Sequence, residues 1–135
     1  MAKQLFVNLP VKDLDKSKEF FSKLGFGFNE QFTDENAACL IIGENIYAML
    51  LTEPLFKTFT RKEISDARNS TEVLIAMDAG SRAEVDDLVS KARQAGESVY
   101  MEPMDQGWMY GHSFADLDGH QWEIIYMDMA AMPQA

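Results

Sequence analysis

One order of elements is written twice along this chain, and a duplicated order restricts the fold more than any single motif does. Leu5-Phe6-Val7-Asn8-Leu9 is a short β-rich run closed by Pro10, which cannot donate to a ladder. Asp13 then serves as N-cap to a helix from Leu14 to Leu24. Its apolar residues Leu14, Phe20, Phe21 and Leu24 share one side, with the small Ser17 between them. Gly25 stops the helix where a left-handed residue is usual. Strands are expected over Phe26 to Phe32, Ala38 to Ile42 and Ile46 to Leu51, the last two joined by the hairpin signal Gly43-Glu44-Asn45.

After a stretch that breaks the pattern, the order returns. Glu72 to Met77 reads as a strand, and Ser81 caps a helix to Ala95 that carries Val85, Leu88, Val89 and Ala92 on one face. Gly96 ends it as Gly25 ended the first. Ser98 to Met101, Met109 to Asp116 and Gln121 to Met127 complete the second set, with Asp118-Gly119 as the turn between the last two. The expectation is one α+β domain over residues 1–135, built from two βαβββ modules at about 3–51 and 71–127 with curved mixed sheets. The connector, 52–70, holds Pro54, Phe56, Phe59 and several charges, and a short helix is expected from Arg61 to Ala67.

Composition removes several function classes. Twelve Lys plus Arg against 22 Asp plus Glu, a net charge of −10, leave no basic face for nucleic acid. No apolar run reaches the ~18 residues of a membrane span, and Met1 to Phe6 show no basic region leading into one. The single cysteine, Cys39, lies in an apolar run and has no intrachain partner, which fits a reducing compartment. Cytoplasm is therefore the expected location.

Two stretches carry a family resemblance. Val11-Lys12-Asp13-Leu14, with Ser17 on the helix and Phe20-Phe21 leading to Leu24-Gly25-Phe26, is similar to the opening signature of the vicinal-oxygen-chelate superfamily, which includes glyoxalases and bleomycin-resistance proteins. Phe114-Ala115-Asp116-Leu117-Asp118-Gly119-His120-Gln121-Trp122-Glu123 resembles its closing signature. The resemblance covers residues 4–127 and implies that the two halves enclose a cup. It implies either Lewis-acid chemistry on a divalent metal held by the first and last strands of each half, or metal-free sequestration of an antibiotic.

At the four positions that the resemblance assigns to metal ligands stand Phe6, Tyr47, Glu72 and Glu123. Glu72 and Glu123 alone make a poor zinc or nickel site and hold at most a weak hard divalent ion, so no cofactor is the expectation. Strand alternation puts Phe6, Asn8, Tyr47 and Met49 in the cup, with Glu123 between Gln121 and Ile125. A two-residue loop at Asp118-Gly119 would pair Phe114 with Glu123 and His112 with Ile125. It would also bring His112 and Tyr110 onto the same face, His112 within ~7 Å of Glu123. Glu123 and His112 are thus the catalytic candidates. Phe6, Asn8, Tyr47, Met49, Tyr110, Phe114 and Trp108 are the ligand-binding candidates, Trp108 being either a lid or a packed loop anchor. The expected function is small-molecule binding in a homodimer. A lyase or isomerase with a degenerate metal site and a sequestration protein without catalysis both remain open.

Overall fold

The computed structural model describes residues 1–96 and 99–133. The chain divides into two compact units, Met1–Asp66 and Ala67–Ala135. In the first, β1 (Leu5–Val11), α1 (Leu14–Lys23), β2 (Gly27–Asn29), β3 (Ala37–Gly43) and β4 (Ile46–Thr52) give a sheet of order β1-β4-β3-β2. β1 runs parallel to β4 and the other pairs are antiparallel, so the sheet is mixed. Asp13 accepts the Lys16 N–H at 3.1 Å and fixes the start of α1. Leu14, Ser17, Phe20, Phe21 and Leu24 are buried, as the periodicity requires. Gly25 ends the helix at φ 98°. Opposite them, Ala38, Leu40, Ala48 and Leu50 alternate along β3 and β4 and are fully buried.

Three expectations fail here for local reasons. Pro10 lies inside β1, which it can do because β1 is an edge strand with β4 as its sheet neighbour. The connector's helix is α2 (Glu53–Lys57), begun by Pro54, whereas 61–67 form no helix. β2 is also shorter than expected, because Asn29 caps a 3₁₀ turn over Glu30–Phe32.

The second unit repeats the plan with β5 (Leu74–Asp78), α3 (Arg82–Gln94), β6 (Met104–Asp105), β7 (Met109–Ala115) and β8 (Gln121–Met127), in sheet order β5-β8-β7-β6. Ser81 caps α3 by accepting the Glu84 N–H at 3.1 Å, and Val85, Val89 and Ala92 are buried; Leu88 is half-buried. Trp122, Phe114 and Ile124 are buried in the same unit, with Phe114 and Trp122 stacked at 6.4 Å between centroids. The strand expected over Ser98 to Met101 is not found at Val99–Met101, and Ser98 lies outside the described residues. The edge strand beside β7 is the two-residue β6 instead. Each unit is an α+β βαβββ module. No helix among the described residues is long and apolar enough to cross a membrane.

Candidate functional site

Each sheet has one face toward its helix and one away from it. In the first unit Phe6 pairs with Tyr47, and Tyr47 with Ile41, on the face opposite to Ala48 and Leu50. Asn8 and Met49 pair on this same face, so all four residues expected there are together. Phe6 and Tyr47 stack with centroids 5.0 Å apart and planes 16° from parallel. Phe6 keeps 46% of its surface exposed, Asn8 is exposed, and Tyr47 and Met49 are half-buried.

The second unit rearranges the expected constellation. β7 and β8 pair Ala115 with Gln121, Phe114 with Trp122, Ser113 with Glu123 and His112 with Ile124. This register is one residue away from the expected one. The reason is Asp116, which anchors a five-residue turn to His120 whose loop holds three residues, Leu117 to Gly119, where two were expected. Its Oδ1 accepts the Asp118 and His120 N–H groups at 3.0 Å each, and its Oδ2 accepts the Trp122 indole N–H at 3.0 Å. Gly119 takes φ 89° to close the turn. Burial pushes the Asp116 carboxyl above its usual range, against the pull of His120 and of the Trp122 and Asp118 N–H groups.

A one-residue shift turns every side chain of a strand to the other face. Tyr110, His112 and Phe114 therefore lie on the α3 side. Tyr110 donates to Asp86 of α3 at 2.5 Å, and the Arg82 guanidinium sits 4.8 Å over its ring. His112 Nε2 is 2.9 Å from the Met101 carbonyl oxygen. Phe114 is core. Glu123 does face away from α3, half-buried, between Ser113 on β7 and Ala76 on β5. His112 and Glu123 are separated by the sheet, so the expected proton-relay pair does not form.

Glu72 is not on the sheet at all. It is exposed in a bend before β5, four residues upstream of Ala76. The donors at the four sites are thus a phenyl ring stacked on a phenol in one unit, and in the other one carboxylate facing a methyl group. Among the described residues no group of three His, Cys, Asp or Glu is placed to hold a metal. This donor set does not fit a tightly held divalent metal within either unit.

Trp108 sits in a turn that is wired shut. Asp105 Oδ1 accepts the Gly107 N–H at 2.9 Å, Arg82 Nη2 donates to the Gly107 carbonyl at 2.9 Å, and the Trp108 carbonyl accepts the Asp128 N–H at 2.6 Å. Arg82 also grips Asp105 through both guanidinium nitrogens at 2.8 and 2.9 Å, which lowers the Asp105 pKa to about 2. Those bonds suit a loop anchor. The sequence reading missed Arg82, Asp105 and Asp116. Only Asp116 had a visible signal, since an Asp two residues before Asp-Gly is a turn former in its own right.

The family model for the bleomycin resistance protein-like N-terminal segment matches residues 3–43. A hypothetical protein from S. aureus is 31% identical over 93% of this chain and 94% of its own, with a TM-score of 0.79. A glyoxalase/bleomycin resistance protein/dioxygenase family enzyme from Burkholderia phytofirmans superposes with a TM-score of 0.76 at 19% identity, covering 90% of this chain and 96% of that one. The chain belongs to the vicinal-oxygen-chelate superfamily. Within this superfamily, the bleomycin resistance determinant encoded on the transposon Tn5 has the same fold, with a TM-score of 0.66 at 20% identity over 95% of this chain and 100% of its own. No curated protein matches the sequence.

Proposed function

We propose that this superfamily member binds an apolar or aromatic small molecule without a metal, as a sequestration protein and not as a lyase. One observation carries the reading: the stacked Phe6–Tyr47 pair, open on the face away from α1, stands where the resemblance assigns metal ligands. Met49 beside it adds an adaptable apolar wall, and Asn8 adds a polar group to orient the ligand. Glu123, facing a methyl group and a hydroxyl, contributes a lone carboxylate, and the proton-relay partner that a lyase reading gave it lies on the other side of its sheet.

The test is isothermal titration with bleomycin, the antibiotic named for the Tn5 relative, alongside the hydrophobic fluorophore anilinonaphthalene sulfonate. Saturable binding by the wild type is expected. Phe6→Ala and Tyr47→Ala should each weaken it about tenfold, roughly 1.4 kcal/mol, within the range of one lost aromatic contact. Unchanged affinity in both variants, or one transition metal per chain held through Glu123, would overturn the reading. We further propose a cytoplasmic homodimer, since each four-stranded sheet has two edge strands and exposed edges are normally paired or covered. Sedimentation equilibrium at micromolar concentration checks it, a purely monomeric species being the contrary result.

A further inference from the structure

We infer that one corner of the second sheet is a thioether site for a soft monovalent cation, Cu(I) or its analogue Ag(I), formed by Met104, Met109 and Met127. The inference concerns the second unit alone and does not rest on the ligand-binding reading of Phe6 and Tyr47.

The register brings the three residues to one face. Met109 at the start of β7 lies directly opposite Met127 at the end of β8. Met104 on β6 is opposite Gly111, which is two residues from Met109 and so shares its face. Tyr110 and its partners Asp105 and Tyr126 take the α3 side, so all three methionines point away from α3. Cβ to Cβ, Met109 is about 5 Å from the directly opposed Met127 and about 7–8 Å from the diagonal Met104, while Met104 and Met127 face each other across β7 at about 10 Å or more, so their unbranched arms must both bend over Met109 to share one ion. Gly111 contributes no side chain between Met104 and Ile125, and a Cβ added there would meet Ile125 Cγ1 at 3.6 Å. The floor of the corner is therefore backbone and aliphatic carbon. Met104 and Met127 are 48% and 43% exposed, so an ion reaches them from solvent. Gln106, whose backbone N–H bonds to the Met109 carbonyl at 2.9 Å, places its Nε2 at 3.7 Å from Met104 Sδ.

The chemistry of the donors selects the ion. Thioethers are soft and neutral, and they favour Cu(I) over Mg²⁺, Ca²⁺ or Mn²⁺, which want oxygen. The nearest charged oxygens on β6, those of Asp105, are held by Arg82 on the opposite face. His112 is on that opposite face too. Because no donor has to lose a proton, affinity should not change between pH 5 and pH 8, unlike a Cys or His site.

The experiment titrates the full chain, carrying ¹³C-methyl methionine, with silver nitrate in chloride-free buffer. Cu(I) is then titrated against a bathocuproine competitor. The methyl signals of Met104, Met109 and Met127 should shift together and saturate at one equivalent, with the same midpoint at pH 5 and pH 8. The double variant Met109→Leu/Met127→Leu keeps the apolar volume and should lower Cu(I) affinity at least tenfold with the remaining methyl spectrum unchanged. Three results overturn the assignment. They are no shift at one equivalent, shifts spread evenly over the exposed Met101, Met129 and Met132, and capture of the first equivalent by Cys39 with every methyl left in place.

Discussion

Trp122 donates its indole N–H to Asp116 Oδ2 at 3.0 Å, in a part of the molecule where neither side chain meets solvent appreciably. The other carboxylate oxygen is filled by two backbone N–H groups of the turn. Asp116→Asn keeps the shape, but whichever way the amide is turned its NH₂ faces one of these N–H donors. It should cost about 1–3 kcal/mol in urea unfolding, the range for one buried donor left unpaired.

The same residue predicts a pH slope. Burial raises the folded-state pKa of Asp116 above its unfolded value, so the folded state keeps a proton that the unfolded state releases. Its contribution is therefore most favourable in acid and is lost as pH rises from about 4 through the raised pKa. Stability measured from pH 4 to pH 8 should thus fall more steeply in the wild type than in Asp116→Asn. Parallel curves for the two proteins would show that Asp116 does not titrate in this way.

Asp105 predicts the opposite sign. Arg82 depresses its pKa to about 2, so the pair stabilises the fold above the ordinary carboxylate range and is lost as pH falls from about 4 to about 2. Carboxyl NMR of the wild type should place its midpoint near 2, and Arg82→Ala should return it toward the ordinary value. A midpoint that ignores the Arg82 substitution would separate the two groups in solution.

Two glycines with similar backbone angles should respond very differently to alanine. At Gly25, φ 98°, an added Cβ meets nothing within 4 Å, and Gly25→Ala should cost about 1 kcal/mol of backbone strain. At Gly119, φ 89°, the Cβ would lie 2.8 Å from the backbone of Ala67 and Arg68, and Gly119→Ala should cost about 3 kcal/mol or more. Thermal unfolding of both variants ranks them, and equal losses would contradict the contact.

His112 and Glu123 should no longer behave as partners. His112→Ala removes the contact to the Met101 carbonyl and should cost about 1 kcal/mol of stability while leaving bleomycin affinity unaltered. A double-mutant cycle with Glu123→Gln should show no coupling beyond about 0.5 kcal/mol, the additivity expected of residues without shared partners. Larger coupling would restore the relay.

The two long helices, α1 and α3, and most strands were legible because their signals are local. Asp13 and Ser81 cap, Gly25 ends α1 with positive φ, and the apolar spacing of Leu14, Phe20, Phe21 and Leu24 names the buried side. The face shared by Phe6, Asn8, Tyr47 and Met49 followed from alternation alone. The other half of the candidate site was misread through one turn. Asp118-Gly119 reads as a two-residue loop, and the turn-forming character of Asp116 does not by itself reveal that it buries its carboxylate and holds five residues in the turn. Glu72 was misplaced because counting residues through a repeat assumes equal strand lengths. β5 begins at Leu74, whereas β1 runs the full seven residues from Leu5 to Val11. The Arg82–Asp105 grip joins residues 23 apart and left no trace in spacing.

The five-residue turn at Asp116 works as a switch on reading frame in space. With it, β7 offers Gly111, Ser113 and Ala115 to the face away from α3, a smooth strip beside Glu123. Shortening that turn by one residue while keeping β8 in place would roll β7 over, presenting Tyr110, His112 and Phe114 there and leaving the α3 side with a void in place of Phe114. A lineage carrying this sheet can therefore exchange an inert wall for an imidazole and a phenol by a single codon deletion, provided that the core opposite is rebuilt. Turn length here is a heritable variable of the site's chemistry as much as of its shape.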